Sequence, residues 1–368
     1  MRNRNALSLI LFAWVILPMA LYAQTFERPV PYLTGALAPN GVALGDLNGD
    51  GRLDVVVVNT DLSGTVAVLL GNGDGTLLTA VTYPAGNYPE FVILADFNGD
   101  GYVDVAVGNR AIDGPGWVSI LLGNGDGTLR PAVPYGPFTD AFSLAIGDFN
   151  QDGALDIAVA DTSSGSLLLG KGDGTFSVGS PIGASNAVFF AVADFNGDGK
   201  LDLASAYNSG STIQLLTGNG KGAFTLRRSY DVATPPIALV VADFNGDGVP
   251  DFAAADEAVN DAGSNMTVFE SSAGEYVKKK YPYGDEPRLI VAADINQDGK
   301  IDLVTENEFN GTVDLFINSG EGAFLSPIVL HDGSITAASV AVGDLNGDGK
   351  PDIVVTDGQS HVHVLLQE

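Results

Sequence analysis

The chain has 368 residues, 47 of them glycine, and it contains no cysteine. Its 45 acidic residues outnumber its 17 basic ones and give a formal net charge of −28. Disulfide bonds, thiolate metal sites and a cysteine nucleophile are therefore excluded. Nucleic acids and anionic membranes are unfavourable partners, because both bind to basic surfaces.

The first 23 residues have the pattern of a secretory signal peptide. Arg2 and Arg4 precede the apolar run LSLILFAWVILPMAL, and L-Y-A before Gln24 is a suitable cleavage site. The alternative is a membrane anchor, since the run approaches the length that spans a bilayer. The proline in this run and the polar residues after it favour cleavage. We therefore expect a signal peptide at 1–23 and a secreted, cell-surface or periplasmic protein at 24–368, with no membrane insertion after cleavage.

A nine-residue acidic motif, D-x-N-x-D-G-x-x-D, recurs seven times along the rest of the chain. Successive copies begin 46 to 52 residues apart. The copies are DLNGDGRLD (46–54), DFNGDGYVD (96–104), DFNQDGALD (148–156), DFNGDGKLD (194–202), DFNGDGVPD (243–251), DINQDGKID (294–302) and DLNGDGKPD (344–352). Such self-similarity indicates a repeat architecture, which also suits a chain too long for one compact core.

The first six repeats each contain four short apolar segments in a fixed order. One segment, such as FVILA, leads into the motif, and a second leaves it. A variable polar loop, a third segment such as WVSILL, a glycine-rich turn such as GNGDGTL and a fourth segment such as LLTAVTY follow. Asn and Gly supply the positive-φ positions of tight hairpins. Four antiparallel strands in about 50 residues predict a β-propeller blade.

The two ends of the chain predict that the repeats close into a ring. The seventh repeat stops after its third segment, HVHVLLQE, whereas TFERPVPYLTG at 25–35 aligns without gaps with the fourth segment TLLTAVTYPAG at 76–86. The N-terminal strand is therefore expected to complete the last blade. Closure also removes the sheet edge that an open solenoid, the alternative, would expose. The predicted fold is an all-β, seven-bladed β-propeller over 24–368, with four-stranded antiparallel blades.

The acidic motif presents the oxygen ligands that Ca²⁺ prefers. Positions one, five and nine are carboxylates, position three is a carboxamide, and position seven can add its backbone carbonyl oxygen. Position six is glycine in every copy, as a sharp reversal of the chain requires. An EF-hand is excluded, because it needs a glutamate at position twelve, where this chain has Val, Ser, Ala or Thr. Mg²⁺ is less suitable because it retains its waters, and Asx turns without metal are the structural alternative.

We therefore expect up to seven Ca²⁺ ions with a structural role, because three carboxylates within nine residues repel one another unless a cation lies between them. The predicted side-chain ligands are Asp46, Asn48, Asp50 and Asp54, then Asp96, Asn98, Asp100 and Asp104, Asp148, Asn150, Asp152 and Asp156, Asp194, Asn196, Asp198 and Asp202, Asp243, Asn245, Asp247 and Asp251, Asp294, Asn296, Asp298 and Asp302, and Asp344, Asn346, Asp348 and Asp352. The predicted backbone ligands are the carbonyl oxygens of Arg52, Tyr102, Ala154, Lys200, Val249, Lys300 and Lys350.

With these loops at blade spacing, the sequence resembles the FG-GAP/VCBS-type repeat family, which includes the head propellers of integrin α subunits and lectin-like propellers. The resemblance covers 24–368 and implies a calcium site in each D-x-N-x-D-G-x-x-D loop, between the first and second strands of a blade. It also implies a role in binding or cell adhesion. This chain differs from the integrins in carrying the loop in all seven repeats rather than in a subset.

The face opposite the acidic loops varies in sequence and is the expected ligand face. One position on it recurs five residues after the last aspartate of the motif: Asn59, Asn109, Asp161, Tyr207, Asp256, Asn307 and Asp357. Two interpretations are open, namely a polar ring at the channel mouth that holds a sugar or a second cation, or Asx turns at strand ends. Tyr88, Phe138, Arg110 and Arg288 are further candidates on this face.

Signals of catalysis are weak. No G-x-S-x-G, H-E-x-x-H or P-loop motif occurs. His361 and His363 alternate along the last strand, which is consistent with an edge-strand role or with a zinc pair. The sequence therefore favours a secreted calcium-binding module for a protein or glycan ligand over an enzyme. The alternative is a polysaccharide lyase or hydrolase whose acids, such as Asp256 or Glu257, lie on the variable face.

Overall fold

The computed structural model describes residues 25–368 except residues 62, 113, 257–263, 273, 284–286, 308–310 and 333–336. The signal peptide expected at 1–23 lies outside the described residues. In the described part the protein is all β, with one turn of 3-10 helix at Asn208–Gly210 and no α-helix. No helix among these residues is long and apolar enough to cross a membrane.

The strands form seven four-stranded antiparallel sheets and one short ribbon. In chain order they are β1 (Val30–Leu33), β2 (Pro39–Gly45), β3 (Asp54–Asn59), β4 (Thr65–Leu69), β5 (Val81–Pro84), β6 (Pro89–Ala95), β7 (Asp104–Asn109), β8 (Gly116–Leu121), β9 (Val133–Phe138), β10 (Ser143–Gly147), β11 (Asp156–Ala160), β12 (Ser166–Gly170), β13 (Phe176–Val178), β14 (Ala187–Ala193) and β15 (Asp202–Tyr207). They continue with β16 (Thr212–Gly218), β17 (Phe224–Asp231), β18 (Pro236–Ala242), β19 (Asp251–Asp256), β20 (Ser264–Ser272), β21 (Glu275–Tyr283), β22 (Pro287–Ala293), β23 (Asp302–Asn307), β24 (Thr312–Phe316), β25 (Asn318–Gly320), β26 (Ala323–Phe324), β27 (Ile328–Asp332), β28 (Ser339–Gly343), β29 (Asp352–Thr356) and β30 (His361–Leu365).

Consecutive strands pair outward from the centre of the ring. The first blade has the order β2-β3-β4-β5, and the next five blades follow the same rule, with β25-β26 forming the turn of the sixth. The first strands of neighbouring blades contact one another around the whole circle, including β28 with β2. These contacts confirm the predicted seven-bladed β-propeller.

The N-terminal strand closes the ring as predicted. The seventh blade has the order β28-β29-β30-β1, so its outermost strand comes from the opposite end of the chain. Val30 pairs with Val364, and Leu33 pairs with His361. Because β1 covers β30, the last blade presents no more sheet edge than the other six.

The core consists of seven apolar layers, one at each junction between blades. Along β3, Val56 and Val58 pack against Val105 of the second blade, whereas Val55 and Val57 pack toward the seventh. Alternate side chains of a strand point to opposite faces, so the second strand of a blade is covered on both sides. This burial explains why β3 contains four consecutive valines, Val55–Val58, and why all six of its residues are buried.

Candidate functional site

Each acidic motif forms the loop between the first and second strands of its blade, and the first copy joins β2 to β3. Gly49 and Gly51, at positions four and six, have φ values of +74° and +81°. A Cβ atom at either position would meet nothing within 4 Å, so glycine is required for backbone conformation and not for space.

Position four is Gln151 or Gln297 in two loops, each with φ +58°. Each glutamine donates its side-chain N–H to the position-six carbonyl oxygen of the next loop.

Backbone N–H groups hold the side chains at positions one, three and five of the first loop. Asp46 accepts hydrogen bonds from Gly49 N at 2.7 Å and from Gly51 N at 2.8 Å. Asn48 Oδ1 accepts one from Asp50 N at 2.9 Å. In all seven loops the position-one carboxylate accepts from the position-six glycine at 2.7–2.9 Å. These backbone hydrogen bonds hold the loops in a preformed conformation. Since a carboxylate offers about four acceptor positions, its oxygens retain capacity to bind a cation.

The position-nine aspartate is buried in every loop and joins distant parts of the blade. Asp54 Oδ2 accepts from Leu47 N within the loop at 2.9 Å, and Oδ1 accepts from Gly71 N beyond the third strand at 2.8 Å. In the other six blades Oδ1 likewise accepts from a residue at or just after the end of the third strand, at 2.6–2.9 Å. This residue therefore has a structural role in addition to its predicted role as a ligand.

Burial raises the pKa of the position-nine carboxyl in all seven loops, to about 6 for Asp156, Asp251 and Asp302. Backbone N–H groups offset part of this rise, and carboxylates of the same loop add to it by repulsion. A divalent cation held between these carboxylates would remove that repulsion. The donor set consists only of oxygen atoms, so the residues present fit Ca²⁺.

These pKa shifts predict how stability depends on pH. Without metal, the folded state binds more protons than the unfolded state between about pH 4 and pH 6, so stability is lost as pH rises through that window. Ca²⁺ binds the ionised carboxylates, so its stabilising effect should grow with pH. We expect the difference in melting temperature between Ca²⁺ and chelator to be larger at about pH 7.5 than at about pH 5. Scanning calorimetry at both pH values measures it, and an equal difference would contradict the prediction.

Position two of the motif connects each loop to the next blade. Gly127 N, in the glycine-rich turn of the second blade, donates to Leu47 O of the first at 3.1 Å. Four other junctions have the same bond at 3.0–3.2 Å, and in the remaining two the side chains of Gln367 and Arg227 donate instead. The buried position-two residues are Leu47, Phe97, Phe149, Phe195, Phe244, Ile295 and Leu345. Sequence reasoning based on the acidic residues missed this contact between blades. The sequence feature that could have indicated it is the apolar residue at position two of all seven motifs.

On the opposite face, the recurring polar position lies at or just after the end of each second strand. Six of its members, Asn59, Asn109, Asp161, Asp256, Asn307 and Asp357, are buried, and Tyr207 is half-buried. Asn59 Nδ2 donates to Thr65 Oγ1 at 3.0 Å, and Asp161 Oδ1 accepts from Ser163 N at 2.8 Å, as in a strand-end turn. None of the seven is among the described residues that line the central channel, most of which belong to first strands. Ligand contact by this set stays a prediction.

Two cavities open near the ends of the strands on this face. The central channel contains a cavity of about 600 Å³ lined by Glu90, Arg110, Phe142 and Arg288, among others. Arg110 Nη1 lies 3.1 Å from Glu90 Oε1, Nε lies 3.7 Å from Asp140 Oδ2, and the guanidinium lies 4.3 Å from the Phe142 ring centre. The cation of Arg110 is therefore balanced by two carboxylates.

The second cavity is a recess of about 360 Å³ between the second blade and the connector that enters it. Its lining includes Asn87, Tyr88, Asn109 and Trp117. Asn109 is 2% exposed; its Nδ2 donates to Ser119 Oγ at 3.0 Å, and its Oδ1 has no hydrogen-bond partner in the described structure. The structure thus brings three of the predicted face residues, Tyr88, Asn109 and Arg110, to one recess and adds Trp117. Phe138 is instead buried.

Solved structures share this fold. BBS1N in complex with ARL6DN is 14% identical, with a TM-score of 0.64, over 94% of this chain and 98% of that one. A lectin of Agrocybe aegerita that recognises non-reducing terminal N-acetylglucosamine is 18% identical, with a TM-score of 0.55, over 89% of this chain and 87% of that one. At these identities the likeness establishes the fold alone.

Sequence comparison identifies the repeats themselves. A search of curated proteins finds no match. The family model described as FG-GAP-like repeat matches residues 46–107, 96–159, 148–205, 194–254 and 294–355. Each match runs from one acidic motif into the strand that directly follows the next motif. These segments cover well over half of the chain, and the chain therefore belongs to the FG-GAP-like repeat family.

Proposed function

We propose that this propeller is a secreted binding module whose seven acidic loops hold structural Ca²⁺ and whose ligand is a glycan, bound in the recess at Trp117. The observation that carries the ligand class is an accessible indole in a concave recess whose lining also contains Asn87, Tyr88 and Arg110. The proposal favours a glycan over a protein, the other ligand class expected for this fold, because the recess is small and concave.

The chemistry of the recess suits a sugar ring. Its volume of about 360 Å³ lies within the range of small-molecule sites. Trp117 is 36% exposed, so its ring can pack against the C–H face of a pyranose. Asn87 and Tyr88 in the lining offer polar groups for sugar hydroxyls beside the ring. The lectin of similar fold, which recognises N-acetylglucosamine, supports the same class of ligand.

The charges around the recess favour a neutral sugar. Arg110 lines the recess, and its charge is offset by Glu90 and Asp140. An acidic sugar would also approach a chain whose net charge is −28. We therefore expect neutral glycans to bind better than sulfated or uronic-acid glycans.

An enzyme acting on polysaccharide is less well supported. Burial raises the pKa of Asp256 to about 7, as in a general acid. However, Asp256 is fully buried, accepts a hydrogen bond from Thr267 Oγ1 at 2.7 Å and lines neither cavity. Glu257, the other candidate acid, lies outside the described residues. Among the described residues, neither cavity gives a substrate access to Asp256.

Replacing Trp117 by alanine tests the glycan proposal. We expect the wild-type protein to bind neutral glycans on an array in Ca²⁺, and W117A to bind the best of them at least about tenfold more weakly, because the stacking surface is lost. Tyr102→Ala is the matched control, since Tyr102 is an exposed aromatic residue on the opposite face. Equal affinities of W117A and the wild type would contradict the recess, and release of reducing sugar by the wild type would favour the enzyme.

A further inference from the structure

A second cluster of polar side chains lies at the end of the seventh blade, on the face opposite the acidic loops. Asp357 follows β29, and His361 and His363 occupy alternate positions of β30. Asp357 Oδ2 lies 3.1 Å from His361 Nδ1 and 3.4 Å from His363 Nε2. One ligand atom from each residue lies within 4.8 Å of the others. We propose that these three side chains form a site for Zn²⁺, separate from the calcium loops and from the Trp117 recess.

The spacing of the three atoms suits this ion. Zn–N and Zn–O bonds of about 2.0–2.1 Å in tetrahedral geometry place neighbouring ligand atoms about 3.3–3.4 Å apart. The two separations from Asp357 Oδ2, 3.1 Å and 3.4 Å, are close to that value. Imidazole nitrogen selects zinc and related transition metals, whereas Ca²⁺ requires oxygen ligands. The two kinds of site are therefore chemically distinct.

The carboxylate is oriented before any ion arrives. Asp357 Oδ1 accepts hydrogen bonds from the backbone N–H groups of Gln359, Ser360 and His361, each at 2.9 Å. These bonds fix the carboxylate and leave Oδ2 directed toward the imidazoles, as hydrogen bonds to a ligating side chain orient it in metal sites. Strand β30 pairs with β29 on one side and with β1 on the other, so the histidine backbone is also fixed.

The site has an open position. The His361 side chain is 34% exposed, whereas those of His363 and Asp357 are 13% and 9% exposed. Three protein ligands with access to solvent leave the fourth tetrahedral position for water or for an incoming anion.

Comparison with other blades shows which groups of this cluster are specific to the seventh blade. Asp161, at the same position of the third blade, accepts the same kind of backbone bonds, from Ser163 N at 2.8 Å and Ser164 N at 3.0 Å. Its Oδ2, however, accepts from the hydroxyl of Ser166 at 2.6 Å rather than facing imidazoles. In the first blade, the positions of His361 and His363 are Thr65 and Ala67. The first blade thus forms without histidine at these positions, so a four-stranded blade does not require the two imidazoles.

Titration of the full chain with ZnCl₂ tests the proposal. The protein is stripped of metal, saturated with Ca²⁺ so that the acidic loops are occupied, and titrated by isothermal calorimetry. We expect one Zn²⁺ per chain, and Co²⁺ in its place should give the visible absorption of a tetrahedral site. Absence of both signals in the wild type would overturn the proposal and would show that the cluster is a hydrogen-bonded Asp–His network only. Neither result bears on glycan binding.

Two variants locate the ion. The H361T/H363A variant introduces the residues of the first blade at these positions, and Asp357→Asn keeps an acceptor for the backbone while removing the charge. Each should weaken zinc binding by at least about 100-fold. Asp161→Asn, at the equivalent position of the third blade, should bind zinc as the wild type does. Unchanged zinc affinity in H361T/H363A would overturn the proposal, and melting in Ca²⁺ checks that each variant is folded.

Discussion

Removal of Ca²⁺ by a chelator is expected to lower the melting temperature of this protein by on the order of 10–20 °C, and added Ca²⁺ to restore it. An ion at about ten times its Kd adds about 1.4 kcal/mol per site. Seven independent sites would add on the order of 10 kcal/mol, which is comparable to the whole stability of many domains. This is the largest effect that we expect from a single change of conditions.

Contacts at the junctions between blades connect each acidic loop to the stability of the whole ring. Each loop carries a buried apolar residue at position two, and its carbonyl oxygen accepts a hydrogen bond at the junction between blades. A loop whose carboxylates repel one another would disturb both contacts. Because the contact recurs at all seven junctions, loss of the proposed ions would weaken the entire ring.

Calorimetry with and without excess chelator measures the effect. Mg²⁺ at the same concentration and NaCl at the same ionic strength are the controls for general screening of a chain with net charge −28. We expect neither to restore the full melting temperature. An unchanged melt in excess chelator would rule out a structural role for calcium in this protein.

The substitution Asp54→Ala is expected to cost on the order of 2–6 kcal/mol, both in Ca²⁺ and in chelator. It leaves the N–H groups of Leu47 and Gly71 without their acceptors in a buried environment. Each unsatisfied group costs about 1–3 kcal/mol regardless of the metal. Loss of one calcium site should add to this cost only when Ca²⁺ is present.

The matched control is Asp50→Asn in the same loop. Asp50 is exposed and is predicted to be a ligand at position five, but it holds no distant segment of the blade. We expect Asp50→Asn to reduce stability in Ca²⁺ and to have little effect in chelator, where it relieves repulsion. Denaturant unfolding of the two variants in both conditions gives four free-energy differences. Equal losses for both variants in chelator would contradict the separate roles of positions five and nine.

Much of the fold follows from local features of the sequence. The acidic loops and glycine-rich turns require particular backbone conformations at fixed spacing, and the valine- and alanine-rich segments between them favour strands. The gap-free match between 25–35 and 76–86 indicated which strand closes the ring, and the pairing of Val30 with Val364 confirms it. Both signals are local patterns that the repetition makes unambiguous.

The candidate sites were less accessible to prediction, because they join residues that are distant in sequence. The two histidines of β30 were consistent with an edge-strand role or with a zinc pair, and their proximity to Asp357 depends on the turn after β29. Trp117 carried no pattern of its own, and it becomes a candidate only because the chain places it beside Asn109 and the connector at 86–88. The recurring polar position was open to two interpretations, a polar ring at the channel mouth or strand-end turns, and none of its seven members is among the described residues that line the channel.

The sequence by itself determined the number of blades, the closure of the ring and the oxygen-rich chemistry of the seven loops, because each depends on backbone conformation and donor type within a few consecutive residues. Only the tertiary structure decided the second role of the position-nine aspartate, which links Leu47 to Gly71, the recess at Trp117 and the cluster at Asp357. Those features arise from the register of paired strands and from contacts between neighbouring blades. Register places specific side chains and amides opposite one another, and no pattern within a single strand contains that information.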